Sequence, residues 1–226
     1  VDSSIGGKTG VDFMQYKNMV GAFYMPKLVY MNLSVLKTLP KRQISSGMGE
    51  IIKHGLIKDT SYFSYLQENS EKIKALDMES MEEIVFGSCE IKRNVVENDP
   101  KEQGERALLN FGHTLGHAVE KLKNFEMLHG QCVAVGSIAA MKLSAMRGNI
   151  SEEDVSYVEK CFECFGLPTR VEGLTSKEVL EVSKSDKKME AGKIKFVLLH
   201  DIGNAYVDKN VSDEELIQAT DYLLNC

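Results

Sequence analysis

The sequence predicts a mainly α-helical domain that follows a short glycine-rich segment with β character and carries a small β-hairpin near its end. Three observations predict this fold. Glycine and turn-forming residues are frequent in residues 1–40, helical periodicity of apolar residues begins near residue 44, and several segments open with a helix-capping pattern. The change in character near residue 40 predicts two units, residues 1–40 and 41–226.

Local signals mark the individual elements. Residues 1–40 contain one strand-like run, PKLVYMNL. Three later helices are expected to begin where a hydroxyl residue is followed three positions on by a carboxylate. The pairs are Ser151 with Asp154, Thr175 with Glu178, and Ser212 with Glu215. Gly166 is placed to end the first of these helices. The runs KIKFVLL and NAYVDK flank HDIG, which predicts the hairpin.

Composition limits the function classes. The chain has 226 residues, of which 43% are hydrophobic, so it can bury a core. A formal charge of −6 disfavours a broad nucleic-acid surface but is compatible with a small anionic ligand such as a phosphorylated metabolite. No apolar run reaches the roughly 18 residues that a membrane span needs. The sequence begins without Met and in the middle of a motif, so we expect a fragment of a longer protein.

Cysteine usage predicts a reducing compartment. Five cysteines without framework spacing favour free thiols and a cytoplasmic location. Cys161 and Cys164 form a CxxC pattern, but it lies in an amphipathic helical segment and no second pair completes a zinc site. We therefore interpret this pair as part of an amphipathic helix and not as a zinc site.

Histidines are concentrated in one region of the chain. Three of the five lie in NFGHTLGH and the following LHG, at His113, His117 and His129. An i, i+4 pair on a helix after the Gly112 turn places both rings on one face, which is a common zinc clip, although core packing and acid–base roles stay open. Thr114 stands where the glutamate of a zincin protease would be, which excludes that class.

Other polar residues lie on unexpected faces. Lys92 falls on the apolar side of its predicted helix, where it either extends its ammonium to the edge or points into a pocket. Glu50, Lys53 and His54 share another helical face, which is compatible with an exposed salt-bridged stripe or with a carboxylate ligand beside a substrate-binding lysine.

The GGKT sequence near the start of the chain is not a P-loop. Asp2 occupies the position of the first glycine that the P-loop motif requires. A glycine turn that brings Lys8 and nearby amides to a phosphate is still plausible.

Five blocks together carry a family resemblance. DSSIGGKTGVD, KNMVGAFYMP, LKTLPKRQISSGMGEIIKHG, ERALLNFGHTLGHAVE and LHGQCVAVG occur in the order and spacing of the 3-dehydroquinate synthases, which are sugar-phosphate cyclases. The resemblance covers nearly the whole chain and is weakest from about 150 to 185. It implies that residues 1–40 are the tail of an NAD-binding α/β domain and that residues 41–226 form a helical metal- and substrate-binding domain.

The resemblance also implies a set of site residues. Glu50, His113 and His129 match zinc ligands, with Co²⁺ as a possible substitute, so His117 becomes a substrate-side residue. Catalytic roles fall to Lys53, Glu102, Arg106 and His117, with Glu102 as a proton acceptor. Substrate contacts are implied for Asp2, Asn18, Lys53, Lys92, Arg106, Asn110, His117 and Lys188, with Lys187 as the alternative to the last. The edge of the NAD⁺ site is implied for Lys8, Lys17, Val35, Leu36, Lys37 and Thr38. His54 stands where many relatives carry an aromatic residue.

The activity that the resemblance implies is conversion of 3-deoxy-D-arabino-heptulosonate 7-phosphate to 3-dehydroquinate and phosphate. It proceeds through transient NAD-dependent oxidation, phosphate elimination and aldol closure, in a homodimeric enzyme. Two alternatives stay open, namely another cyclase such as a 2-deoxy-scyllo-inosose synthase, and a non-catalytic zinc-binding helical module.

Overall fold

Helices dominate the computed structural model, which describes residues 1–13, 16–185 and 195–224, apart from the side chains at 12, 16–19 and 185. The α-helices are α1 (Lys41–Lys58), α2 (Thr60–Glu68), α3 (Ser70–Lys74), α4 (Met78–Asn98), α5 (His113–Leu122), α6 (His129–Met146), α7 (Glu152–Cys164), α8 (Ser176–Ser185) and α9 (Asp213–Leu224). Two 3₁₀ helices span Leu33–Thr38 and Glu105–Asn110. The predicted mainly helical class is confirmed.

Helix α6 is the centre of the core. Its sequence, HGQCVAVGSIAAMKLSAM, is apolar on nearly every side, so the helix is stable only when other elements surround it. Helices α1, α5, α7 and α9 and a strand of the C-terminal hairpin pack around it. The histidine that begins α6 therefore lies where several core helices meet.

Glycines let α1 and α6 approach at backbone distance. A Cβ built on Gly49 would lie 2.3 Å from the carbonyl oxygen of Gly130, and one built on Gly130 would lie 1.8 Å from that of Ser46. Real Cβ atoms do not tolerate such contacts, so both positions require glycine. This contact brings Glu50 of α1 next to His129 at the start of α6.

The strands form two antiparallel hairpins. Strand β1 (Lys8–Phe13) pairs with β2 (Tyr16–Phe23), and β3 (Phe196–Asp201) pairs with β4 (Asn204–Asp208). The second hairpin is the one predicted around HDIG. The strand predicted for PKLVYMNL is wrong, because this segment has no strand partner among the described residues; Leu28 and Tyr30 are both 83% exposed there.

The predicted helix ends are confirmed. Ser151 and Asp154 form a reciprocal capping box at the start of α7. Thr175 with Glu178, and Ser212 with Glu215, exchange the same type of hydrogen bonds before α8 and α9. Gly166 follows α7 with φ +72°, a left-handed conformation that glycine adopts without strain. These ends are encoded locally.

Two further sequence expectations concern membrane-spanning segments and the cysteines. Among the described helices, none is both long and apolar enough to cross a membrane. The cysteines at 89, 132, 161 and 164 are free thiols, and burial raises the pKa of Cys161 to about 12. Cys226 lies outside the described residues.

Candidate metal and substrate site

Three helices bring the candidate residues together. Helix α1 supplies Glu50 and Lys53, α5 supplies His113 and His117, and α6 begins at His129. Gly112 precedes α5 in the left-handed conformation, with φ +74°, and turns the chain so that α5 starts directly at its first histidine. The structure thus assembles residues that are up to 79 positions apart in sequence.

The Glu50 carboxylate lies between the histidines and a lysine. Its Oε1 is 3.0 Å from Nε2 of His129 and 3.3 Å from Nε2 of His113. Its Oε2 accepts a hydrogen bond from Nζ of Lys53, which also donates to the carbonyl oxygen of Leu109 at 2.9 Å. Glu50 is therefore held with one oxygen toward two imidazole nitrogens and the other against a buried ammonium group.

The three histidines also converge on one another. His113, His117 and His129 each offer a nitrogen, and these atoms all lie within 4.8 Å of one another. The ring centroids of His113 and His117 are 5.2 Å apart, and those of His117 and His129 are 5.7 Å apart. The donors are compatible with either of two metal-ligand sets, the three histidines or Glu50 with His113 and His129.

The outward-facing ring nitrogens of two of these histidines lie near oxygen atoms. Nδ1 of His113 is 2.9 Å from the carbonyl oxygen of Phe111, and Nδ1 of His129 is 3.8 Å from Oε2 of Glu120. Sequence reasoning missed Glu120. Its signal was its spacing, because it lies seven residues after His113 and three after His117 on the same face of α5.

Charges in the cluster shift its titration. Burial raises the pKa of Glu50, but the Lys53 ammonium and the imidazole hydrogen bonds outweigh burial and hold this pKa well below its usual range. Burial and Lys53 lower the pKa of His113, which favours the neutral ring that binds metal. The nearby carboxylates of Glu120 and Glu50 raise the pKa of His129 to about 9.

A second cluster joins the start of the chain to α1 and α4. Nζ of Lys92 is 3.1 Å from Oδ2 of Asp2 and donates to the Asp2 carbonyl oxygen at 2.8 Å. His54 is fully buried, with Nε2 3.3 Å from Oδ2 of Asp2 and Nδ1 2.7 Å from Oγ of Ser88. Lys92 therefore points at a carboxylate, which explains its position on the apolar side of α4.

One contact of this second cluster, between His54 and Ser88, was not predicted from the sequence. Burial and the nearby Lys53 lower the pKa of His54 to about 3, so its ring is neutral at pH 7. Sequence reasoning treated His54 as a minor variation and did not connect it with Ser88. The signal was a polar residue on the apolar side of α4, four positions before Lys92.

Arg106 is buried and bound to backbone. Its Nη2 donates to the carbonyl oxygen of Gly6 at 2.7 Å, and its Nη1 donates to that of Pro100 at 2.8 Å. The Asp99 carboxylate accepts from the backbone N–H of Arg106 at 3.0 Å and orders this loop. In this conformation Arg106 ties the glycine turn to the loop after α4.

Glu102 lies between Lys8 and Asn110. Its carboxylate forms an ion pair with Lys8, and Nδ2 of Asn110 donates to its Oε1 at 2.9 Å. Burial raises the pKa of Glu102, and the contacts with Lys8 and Asn110 more than offset this and lower it. The carboxylate is thus ionised at neutral pH.

A groove of about 580 Å³ lies beside the histidine cluster. Its lining includes Val35, Leu36, Glu50 and His129. Lys37 and Thr38 complete the same 3₁₀ helix. The side chains of Lys17 and Asn18 lie outside the described part of the structure, as do residues Lys187 and Lys188.

The fold matches solved sugar-phosphate cyclases. A 2-epi-5-epi-valiolone synthase from Streptomyces hygroscopicus, with NAD⁺ and Zn²⁺ bound, superimposes with a TM-score of 0.89 at 25% identity over 98% of this chain and 62% of its own. A 2-deoxy-scyllo-inosose synthase, complexed with carbaglucose-6-phosphate, NAD⁺ and Co²⁺, gives 0.82 at 23% identity over 96% and 63%. The class is therefore that of the sugar-phosphate cyclases, of which this chain has the helical domain.

Within that class, the chain belongs to the 3-dehydroquinate synthase family. The family's C-terminal profile matches residues 47–189, and its N-terminal profile matches residues 1–46. A 3-dehydroquinate synthase from Acetivibrio thermocellus is 44% identical over 217 residues, which are 96% of this chain and 60% of that protein. The resemblance seen in the sequence is confirmed. The chain spans about three fifths of the length of this curated relative.

Proposed function

We propose that this chain is the helical metal- and substrate-binding part of a 3-dehydroquinate synthase. This lyase converts 3-deoxy-D-arabino-heptulosonate 7-phosphate to 3-dehydroquinate and phosphate, a step of the shikimate pathway. Family membership over residues 47–189 supports the proposal. The observation that carries it is the convergence of Glu50 with His113 and His129 beside the buried Lys53.

The donor set fits zinc. One carboxylate and two imidazoles, from Glu50, His113 and His129, are typical of catalytic zinc sites that leave a position for substrate oxygens, and cobalt accepts similar ligands. Because its pKa is raised to about 9, His129 would release a proton when zinc binds. His117 lies within the same cluster and is proposed to contact a substrate hydroxyl. When bound, zinc would supply a Lewis acid and NAD⁺ a hydride acceptor, which together activate a ring carbinol.

The groove beside the cluster suits the NAD⁺ edge. Val35 and Leu36 give it an apolar wall on which a flat ring can lie, and the groove reaches Glu50 and His129. Lys37 and Thr38, together with Lys8 and Lys17, are proposed for the cofactor's polar parts. In this arrangement the hydride acceptor would lie next to the proposed metal ligands.

Other side chains of the chain position charge and protons. Lys53 keeps Glu50 ionised and directs its free oxygen toward the imidazoles. His117 and Asn110 orient reacting hydroxyls, and Glu102, which is ionised and bound to Asn110, accepts a proton.

Anion binding is proposed for the remaining polar residues. Lys92 and Arg106 hold the substrate carboxylate or phosphate, and Asp2 and Asn18 bind its hydroxyls. Lys188, or its neighbour Lys187, adds a further cation. Arg106 is bound to two carbonyl oxygens in this conformation, and its remaining N–H groups would make the proposed contact with substrate.

The proposal extends to the assembly. Residues 1–40 would belong to the NAD-binding domain and 41–226 to the helical domain, in a cytoplasmic homodimer. Sedimentation of the complete protein tests the dimer.

Turnover tests the function. The complete protein that carries this chain is supplied with NAD⁺ and Zn²⁺ and incubated with the heptulosonate phosphate. We expect equal amounts of phosphate and dehydroquinate and no net NADH. A Lys53→Met variant should lose this activity, whereas Glu159→Gln, a change in a carboxylate of α7 that contacts Arg170 and Tyr222, should keep it. Absence of phosphate release from the unaltered protein would refute the proposal.

A second candidate is another cyclase reaction, because the fold superimposes closely on a 2-epi-5-epi-valiolone synthase. The same assay with glucose 6-phosphate tests for the 2-deoxy-scyllo-inosose synthase reaction. Turnover of this sugar and not of the heptulosonate phosphate would favour that reaction. The higher identity to a 3-dehydroquinate synthase, 44% against 25%, supports the first candidate.

A further inference from the structure

Two histidines of the cluster share a common orientation. In His113 and in His129, Nε2 lies near Oε1 of Glu50, at 3.3 and 3.0 Å, on the side where the metal is proposed. In both, Nδ1 lies on the opposite side of the ring and faces an oxygen. For His113 this oxygen is the Phe111 carbonyl, and for His129 it is Oε2 of Glu120.

In metal sites, this arrangement has a known effect on the ligating histidine. A ligating imidazole donates its other N–H to a carboxylate or carbonyl, which fixes the tautomer and the ring orientation and makes the ligating nitrogen more basic. The Phe111 carbonyl meets this need for His113 by hydrogen bonding at 2.9 Å. For His129, the oxygen of Glu120 lies 3.8 Å away.

Glu120 has the burial expected of such a residue. Its side chain is only 8% exposed, whereas the side chain of His129 is 44% exposed, so a buried carboxylate lies next to a ring at the edge of the domain. A buried carboxylate is costly unless charged or polar groups surround it. Helix α5 also carries His113 and His117, so one helix supplies two histidines of the cluster and the carboxylate beside the third.

We infer that Glu120 is the positioning residue for His129, holding its imidazole in the tautomer that presents Nε2 to a divalent metal. Glu120 acts in this way only if the metal site exists, so the inference rests on the proposed function.

Zinc affinity tests the inference. The zinc dissociation constant of the 226-residue chain is measured by competition with a chromophoric chelator, for the unaltered chain and for Glu120→Gln and Glu120→Ala. Loss of an outer partner of a metal ligand typically weakens affinity about 10- to 100-fold. We expect this loss in both variants and a larger one for alanine, because glutamine keeps an oxygen acceptor.

Two controls separate positioning from general stability. Glu159→Gln alters a similarly buried carboxylate, 13% exposed, that contacts Arg170 in another part of the domain, and it should leave zinc affinity unchanged. In a His129→Ala background, Glu120→Gln should cost no further affinity, because Glu120 would have no ligand left to orient. The visible spectrum of the Co²⁺-loaded chain should shift in Glu120→Gln and stay constant in Glu159→Gln.

The outcomes are distinct. Zinc affinity that is unchanged in Glu120→Gln and Glu120→Ala, or an equal loss in the His129→Ala background, overturns the positioning role and leaves the metal site intact. An unaltered chain that binds no zinc overturns the metal site and the inference together.

Discussion

The contact between α1 and α6 sets the distance between Glu50 and His129, and a single methyl group tests it. A Cβ at position 49 would lie 2.3 Å from the carbonyl oxygen of Gly130, while ordinary contacts begin near 3.4 Å. A Gly49→Ala variant must therefore separate the two helices by about 1 Å, because the opposing atom is backbone and cannot rotate away. Glu50 is the next residue and would move with its helix.

The effect of Gly49→Ala on the free energy of unfolding can be compared with that of a matched substitution. Gly47 lies on the same helix, and a Cβ there meets nothing within 4 Å. Gly47→Ala should raise the free energy of unfolding by up to about 1 kcal/mol through helix propensity. Gly49→Ala has the same propensity gain but should lower the free energy of unfolding by about 1–3 kcal/mol, as overpacked cores do.

Urea unfolding and zinc titration measure both effects. We expect Gly49→Ala to unfold at lower urea and to bind zinc more weakly, since the 3.0 Å contact between Glu50 and His129 would open. Gly47→Ala should bind zinc like the unaltered chain. Equal stability and equal zinc affinity of the two variants would refute the conclusion that this helix contact builds the site.

Three further predictions follow from other contacts. Acidification from pH 7 to pH 5 should lower the free energy of unfolding by about 2 kcal/mol more in the unaltered chain than in His54→Phe. The reason is that the pKa of His54 is about 3 in the folded chain, below its value in the unfolded chain, so only the unfolded chain takes up a proton in this range. Denaturant titrations at both pH values measure this, and parallel losses would contradict it. In the complete protein, assayed for the proposed activity, Lys92→Ala should raise KM about 10- to 100-fold, because a charged hydrogen bond to the substrate anion would be lost. Zinc content by elemental mass spectrometry should not change, and loss of zinc would contradict the assignment. Arg106→Met should lower the free energy of unfolding by about 1–3 kcal/mol for each of its two carbonyl partners, and an unchanged urea midpoint would show that water replaces the guanidinium.

Local signals predicted much of the fold. The cap pairs at Ser151, Thr175 and Ser212 and the turn of the second hairpin involve residues only a few positions apart, so the sequence contains the whole interaction. The strand predicted for PKLVYMNL failed for the opposite reason. A strand needs a partner, and a run of apolar residues does not show whether one is present.

The candidate site was predictable only in part. The helical spacing of His113 and His117 indicated a metal clip, but Glu50 lies 63 positions before the first of them, and no spacing rule connects the two. The family resemblance supplied that residue, and the structure places it within 3.3 Å of His113. The roles of Ser88 and Glu120 depend on contacts between distant segments, which only the folded chain reveals.

The ligand set is the central claim, and anomalous diffraction at the zinc edge tests it most directly. A crystal of the zinc-loaded protein should show one strong peak about 2.0–2.2 Å from an oxygen of Glu50 and from Nε2 of both His113 and His129, with His117 farther away. A peak bound by the three histidines without Glu50, or no peak in this cluster, would contradict the account.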